Sequence, residues 1–182
     1  MRYVALLRGI GPLNPNMRSK RLREVIEGLG MSNVQTVITT GNVVFDSPSR
    51  SARSLEARIE SAWPESLGFH STTIIRSHRQ ITDLVACDPF AGLEDTPTTR
   101  FQTTFLKHPV PTDADIPFTT LPYTADNGAF TFVAIGDRVV CSTVDSTSPR
   151  APDLTRTLER AYGKDITTRT WKTVHRIVRK LA

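Results

Sequence analysis

The stretch "ALLRGIGPLNPNMRSKRLREVIEGLG", residues 5–30, passes from an apolar segment through a Gly/Pro/Asn loop into a helical pattern. "RYVALLR", residues 2–8, is short and apolar, as a buried strand is. From Arg18 to Leu29, Leu22, Val25, Ile26 and Leu29 recur at the i, i+3, i+4, i+7 spacing of one helix face, and Gly30 is placed to cap the end. Strand, glycine loop and helix in succession raise the question of a phosphate cradle. A P-loop needs Gly-x-x-x-x-Gly-Lys-Ser/Thr, and a dinucleotide loop needs Gly-x-Gly-x-x-Gly. Here there is only Gly9-x-Gly11, and Pro12 and Pro15 remove two of the amide donors a cradle depends on. The loop reads as a strand-to-helix turn. A weaker functional version is an anion at the helix N-terminus, near Arg8 and Lys20.

Working outward, "NVQTVITTGNVVFDS" holds two β-branched runs about a turn at Thr40-Gly41-Asn42, so a hairpin is expected. Leu55, Ile59 and Trp63 mark a second helix that starts near Ser51 or Ser54, and Pro64 is expected to kink or restart it. "STTIIRS" is a fourth strand. The order β-α-β-β-α-β over residues 1–76 is that of a ferredoxin-like unit. A short helix follows, capped by Ser77, with Ile81, Leu84 and Val85 on its apolar face. The turn-rich "DPFAGLEDTPT" then marks a boundary between residues 1–88 and 98–182.

The second half repeats the pattern less regularly. "RFQTTFLKH" is a strand, "TDADIPFTTL" a poor helix because of Pro117, and "AFTFVAIGDRVVCSTV" a hairpin turning at Gly136-Asp137. Asp153–Tyr162 is a helix with Leu154, Leu158 and Ala161 inward, and "DITTRT" is a last strand. The expected fold is therefore α+β: two ferredoxin-like subdomains with an extra C-terminal helix. The halves show no clear sequence similarity, so duplication rests on element order alone. In the terminal helix Trp171, Val174, Ile177, Val178 and Leu181 line one face; Lys172, His175, Arg176, Arg179 and Lys180 line the other.

The formal net charge of +5 is unevenly spread. Residues 1–23 hold six basic residues and residues 166–182 hold five, with no acid in either segment. The body between them sets the remaining 12 basic residues against all 18 acids. Basic ends on an acidic body point to an anionic partner. No apolar run reaches the ~20 residues of a membrane span, and no signal peptide is visible at the N-terminus. Cys87 and Cys141 fit neither a disulfide framework nor a metal pattern, and both read as buried thiols in a reducing cytoplasm.

"YVALLRGI", "TGNVVFDS", "LTRTLERAYG" and "TTRTWKTV", in that order, resemble the bacterial "domain of unknown function 1697" family. The resemblance implies an α+β fold of two related subdomains and no established activity. The motif positions it carries over are Arg8, Gly9, Gly41, Asn42, Arg169, Trp171 and Thr173. Three departures stand out. The family's first loop usually runs Asn-Val-Gly-Gly where this chain has Gly11-Pro12-Leu13-Asn14-Pro15. Its late helix is usually entered by Ser-Lys-Leu-Thr, here Pro152-Asp153-Leu154-Thr155, and its tryptophan is usually followed by Asn, here Lys172. An anion site built from those glycines and that lysine would be partly lost.

No nucleophile–base arrangement is visible, and His70, His78, His108 and His175 lack metal-ligand spacing. Neither Asp83 with Asp88 nor Glu94 with Asp95 reads as an acid/base couple. No cofactor and no metal are expected. The leading expectation is non-catalytic binding of an anionic partner, a nucleic acid or a phosphate-bearing metabolite. The binding set would be Arg8, Gly9, Gly41, Asn42, Arg169, Trp171 and Thr173, and the anion surface Lys172, Arg176, Arg179 and Lys180. One rival is a small enzyme that orients an anionic substrate with Arg8, Asn42 and Arg169 in a cleft between subdomains. The other is a protein–protein adaptor anchored by an exposed Trp171.

Overall fold

The computed structural model describes residues 1–11, 13–38, 41–110, 120–151 and 153–182. It is an α+β structure built on two antiparallel sheets. By their contacts the residues form two compact units, Met1–Leu84 with Thr173–Ala182, and Val85–Lys172. The sequence placed the whole terminal helix with the second half. The division instead falls inside that helix, and its residues from Thr173 onward join the first unit, where Arg2 Nη2 donates to Lys180 O at 3.3 Å. No helix of the described residues is long and apolar enough to cross a membrane.

The first unit runs β1 (Arg2–Leu7), α1 (Ser19–Gly28), β2 (Ser32–Thr36), β3 (Asn42–Asp46), α2 (Ala52–Leu67) and β4 (Thr73–Ser77), then enters α3 (His78–Ala86). Its sheet order is β2-β3-β1-β4, antiparallel throughout. Alternate residues of β1, Tyr3, Ala5 and Leu7, join Leu22 and Ile26 of α1 and Leu55, Ile59 and Trp63 of α2 in one core, as the two-residue period of a strand requires. Pro64 neither breaks nor restarts α2, which runs on to a left-handed cap at Gly68. The missing donor falls in the last turn, and buried Trp63 and Leu67 hold that turn against the core. Trp63 Nε1 donates to Thr73 Oγ1 at 3.0 Å, which satisfies a buried indole. Ser77 and Gln80 form a reciprocal capping box at the start of α3.

β4 is a sheet edge, and the register turns the backbone groups of Thr73, Ile75 and Ser77 away from β1. Side chains meet them. Glu60 accepts from Thr73 N at 2.8 Å and Glu56 from Ile75 N at 2.9 Å. Arg76 Nη1 donates to Ile75 O at 2.8 Å. An edge occupied in this way no longer offers a pairing template to another strand.

The second unit runs β5 (Thr99–Leu106), β6 (Tyr123–Thr124), β7 (Phe130–Gly136), β8 (Val139–Asp145), α4 (Asp153–Tyr162) and β9 (Ile166–Thr170), and α5 (Trp171–Leu181) begins at its end. The sheet order is β6-β7-β8-β5-β9, again antiparallel. Residues 112–119 of the expected helix lie outside the described residues, as do Thr40 of the first hairpin and Pro12 of the opening loop. The hairpin turns at Asp137-Arg138, one residue later than expected, because Gly136 pairs with Val139 and Arg138 takes the positive φ of 62°. Cys141 is buried as expected, but Cys87 is exposed just beyond α3.

Set aside the short β6, and the two sheets repeat one pairing plan. Tyr3↔Ser77 corresponds to Gln102↔Thr170 and Leu7↔Thr73 to Leu106↔Ile166. Arg2↔Asp46 corresponds to Phe101↔Thr143 and Leu6↔Asn42 to Phe105↔Val139. The closing bonds match as well. Leu7 N→Gly41 O at 2.8 Å answers Leu106 N→Arg138 O at 2.9 Å, and Arg8 N→Thr72 O answers Lys107 N→Asp165 O, both at 2.9 Å.

Candidate functional site

Four of the sequence-predicted residues gather at one corner of the first unit, where β1 ends against the start of β3. Arg8 N donates to Thr72 O, and Ser71 Oγ donates to Arg8 O at 2.7 Å. Gly9 follows with φ +70°. Gly41 has φ +62°, and a Cβ there would lie 3.0 Å from Ile10 Cγ1 and 3.1 Å from Leu7 O, so only glycine fits. Asn42 is the first residue of β3 rather than part of the turn; it is 1% exposed and its Nδ2 donates to Val37 O at 3.2 Å. The Asn42 amide and the Ser71 hydroxyl thus serve the corner's own backbone. Gly11 N, a donor a cradle would use, points at Met17 Sδ at 3.2 Å.

Arg169 belongs to the second unit, on the edge strand β9. Its Nη1 donates to Thr167 Oγ1 at 2.7 Å and to Thr168 O at 2.8 Å. The bond to Thr168 O has the geometry of Arg76 on Ile75 O in the other sheet, so both arginines satisfy an edge carbonyl. Burial pulls the Arg169 guanidinium down to about 10, which leaves it protonated at neutral pH. Trp171 is 8% exposed and lies edge-on to Phe90, 5.1 Å between ring centres. Thr173 is buried.

The surface cations stand differently. Lys172, Arg176, Arg179 and Lys180 are exposed along α5, as is His175, while Val174, Ile177 and Leu181 are buried. Lys172 Nζ lies 2.8 Å from Asp95 Oδ2. The N-terminal cations form no matching stripe: Lys20 and Arg21 meet Glu24, and Arg2 meets Asp46 and Asn33 O.

Sequence reasoning missed a pocket of about 340 Å³ within the second unit, where the start of β5 meets the β9–α5 junction. Arg100, Phe101, Trp171, Lys172 and Asp95 line it. Phe101 stacks on Phe90 at 4.6 Å between ring centres and 4° between planes. The available signal was Phe90, a large apolar residue inside an apparent linker that proves buried. Among the described residues no group of three or more His, Cys, Asp or Glu side chains is placed to hold a metal ion.

With this geometry in hand, comparison with known proteins settles the lineage. The family model for a protein of unknown function, DUF1697, matches residues 1–131. The chain belongs to the DUF1697 family. The matched span takes in Arg8, Gly9, Gly41 and Asn42, while Arg169, Trp171 and Thr173 lie beyond it. A solved structure, that of the conserved bacterial protein SP0830 from Streptococcus pneumoniae, is similar over 99% of this chain and 97% of its own, with a TM-score of 0.73. At 19% identity that likeness speaks for the fold alone. No functionally curated protein matches the chain.

Proposed function

We propose that this DUF1697 member binds an anionic partner without catalysing a reaction, as a cytoplasmic protein with two ferredoxin-like units. The partner is a nucleic acid or a phosphate-bearing metabolite, and the main contact surface is the outer face of α5. One observation carries this reading. Lys172, His175, Arg176, Arg179 and Lys180 follow one another at i, i+3, i+4, i+7 and i+8, all exposed, on a helix without an acidic residue. Such a stripe is about 12 Å long, the span of roughly three phosphates along a strand. A helix face meant only for solubility would gain from interleaved acids at i+4, and this one has none. The ferredoxin-like assignment is supported by the antiparallel β2-β3-β1-β4 order and its repetition in β7-β8-β5-β9.

Two further observations favour this reading over its rivals. Asn42 Nδ2 donates to Val37 O, and Arg169 Nη1 donates to Thr167 Oγ1 and Thr168 O, so both side chains are engaged within the protein. Trp171 is buried rather than displayed to a protein partner. The test is the double variant Arg176→Glu/Arg179→Glu, read by fluorescence anisotropy with a short labelled oligonucleotide. Binding is expected to disappear while the melting temperature stays within a degree or two of wild type. Unchanged affinity would remove α5 as the contact surface.

A further inference from the structure

The pairing plan shared by the two sheets allows equivalent corners to be compared. In the second unit the start of β5 and the β9–α5 junction bring together Arg100, Phe101, Trp171 and Lys172 around an open pocket. The register makes Arg2 the counterpart of Phe101, and His78 follows Ser77 as Trp171 follows Thr170. In the first unit that corner is taken up by the chain's own contacts: Arg2 bonds to Asn33 O and Lys180 O and pairs with Asp46 at 3.5 Å. The fold alone does not make the pocket. It exists where aromatic residues have replaced the arginine and the histidine.

The pocket's chemistry is specific. Phe101 stacks flat on Phe90, and Phe90 meets Trp171 in a T-shaped contact, so the three rings brace one another. Two cations and one carboxylate stand around it: Arg100, Lys172 and Asp95. Their sum is one positive charge, which favours an anion over the quaternary ammonium that an all-aromatic cage would take. Asp95 occupies one of the three ammonium donors of Lys172 at 2.8 Å, which leaves two donors for a ligand oxygen. Arg100 adds a planar fork suited to phosphate. The volume of about 340 Å³ lies at the small end of the roughly 300–1,000 Å³ typical of small-molecule sites.

We infer that this pocket is a binding site for a small anion joined to a planar ring, of the nucleoside-monophosphate kind. The ring lies against Phe101 and Trp171, and the phosphate meets Arg100 and Lys172. The inference goes beyond the α5 reading and shares only Lys172 with its cation stripe, since Arg100 and Phe101 lie outside that helix.

The experiment is isothermal titration of the full chain with purine and pyrimidine nucleoside monophosphates, the parent nucleosides, and inorganic phosphate. At least one monophosphate should bind saturably, and at least tenfold more tightly than its nucleoside or phosphate alone. Arg100→Glu alters an exposed side chain and should weaken binding tenfold or more. Phe101→Leu keeps apolar volume but removes the ring, with a loss on the order of tenfold expected from base–aromatic stacking. Arg176→Glu/Arg179→Glu should leave the monophosphate affinity within twofold of wild type even where it abolishes oligonucleotide binding. The inference is overturned by any one of three results: no saturable monophosphate binding, equal binding of inorganic phosphate alone, or full affinity retained in Arg100→Glu.

Discussion

The two sheets share one hydrogen-bond plan and fill it with different residues. β1 reads Tyr-Val-Ala-Leu-Leu where its counterpart β5 reads Gln-Thr-Thr-Phe-Leu, and the buried threonines of β5 pair sideways, Thr104 Oγ1 lying 2.8 Å from Thr168 Oγ1. Gly41 and Arg138 hold the same turn position with the same φ of 62°, one without a side chain and one with a long one. Val44 of β3 faces Val4 as Cys141 of β8 faces Thr103, so a cysteine stands where the first unit has a valine. Backbone pairing therefore tolerates wide change in side chains, and both features proposed to bind anions lie where the halves diverge: the pocket in one corner and the cation stripe on the helix that has no counterpart of like charge.

Substitutions at and around the equivalent positions test how far the equivalence goes. Gly41→Ala should be the costliest, about 2–4 kcal/mol by chemical denaturation, since it adds left-handed strain and a Cβ at 3.0–3.1 Å from fixed atoms. An undiminished stability would mean that the first corner is looser than its bonds indicate. Burial pushes the Cys141 thiol up to about 11 from 9.0, so folding stability is full below about pH 9 and falls as pH rises towards 11. Roughly 2–3 kcal/mol should be lost over that window, and Cys141→Val, which installs the first unit's residue, should abolish that part of the alkaline loss. Glu56→Ala leaves the outward Ile75 N–H without its acceptor and should cost about 1–3 kcal/mol, with faster amide exchange at Ile75. Arg138→Gly should have the smallest effect, a gain of about 0.5 kcal/mol, as relief of left-handed strain is partly offset by backbone entropy. A loss there would show that the arginine's own contacts outweigh the strain.

Much of the architecture was legible because apolar spacing is local. The 3.6-residue period located α1, α4 and α5 to within a residue or two, and short apolar or β-branched runs located the strands other than β6. Errors arose where a local signal met a tertiary one. Pro64 reads as a helix breaker, yet packing on either side carries α2 past it. Gly136 reads as the turn residue, yet strand register shifts the turn to Arg138. The sequence reads Arg8, Gly9, Gly41 and Asn42 as ligand groups, and the structure gathers them at one corner, where the Arg8 and Gly41 backbones and the Asn42 amide bond within the fold. The pocket left one trace in the sequence, the apolar Phe90 inside the apparent linker. Asp95 and Lys172 are far apart in sequence, and only the pairing of β5 with β9 brings Phe101 beside Trp171. Repetition between the halves showed only in element order for a related reason: it resides in backbone register, and the side chains at matched positions differ.

The proposal that the exposed cations of α5 form the anion-binding surface is tested most directly by the salt dependence of oligonucleotide binding. With Arg176, Arg179 and Lys180 each displacing a counterion, the logarithm of the affinity for a single strand should fall with the logarithm of salt concentration at a slope of about −2. Arg176→Glu/Arg179→Glu should remove that dependence together with the binding. A flat salt response, or the same slope in the variant, would contradict the account.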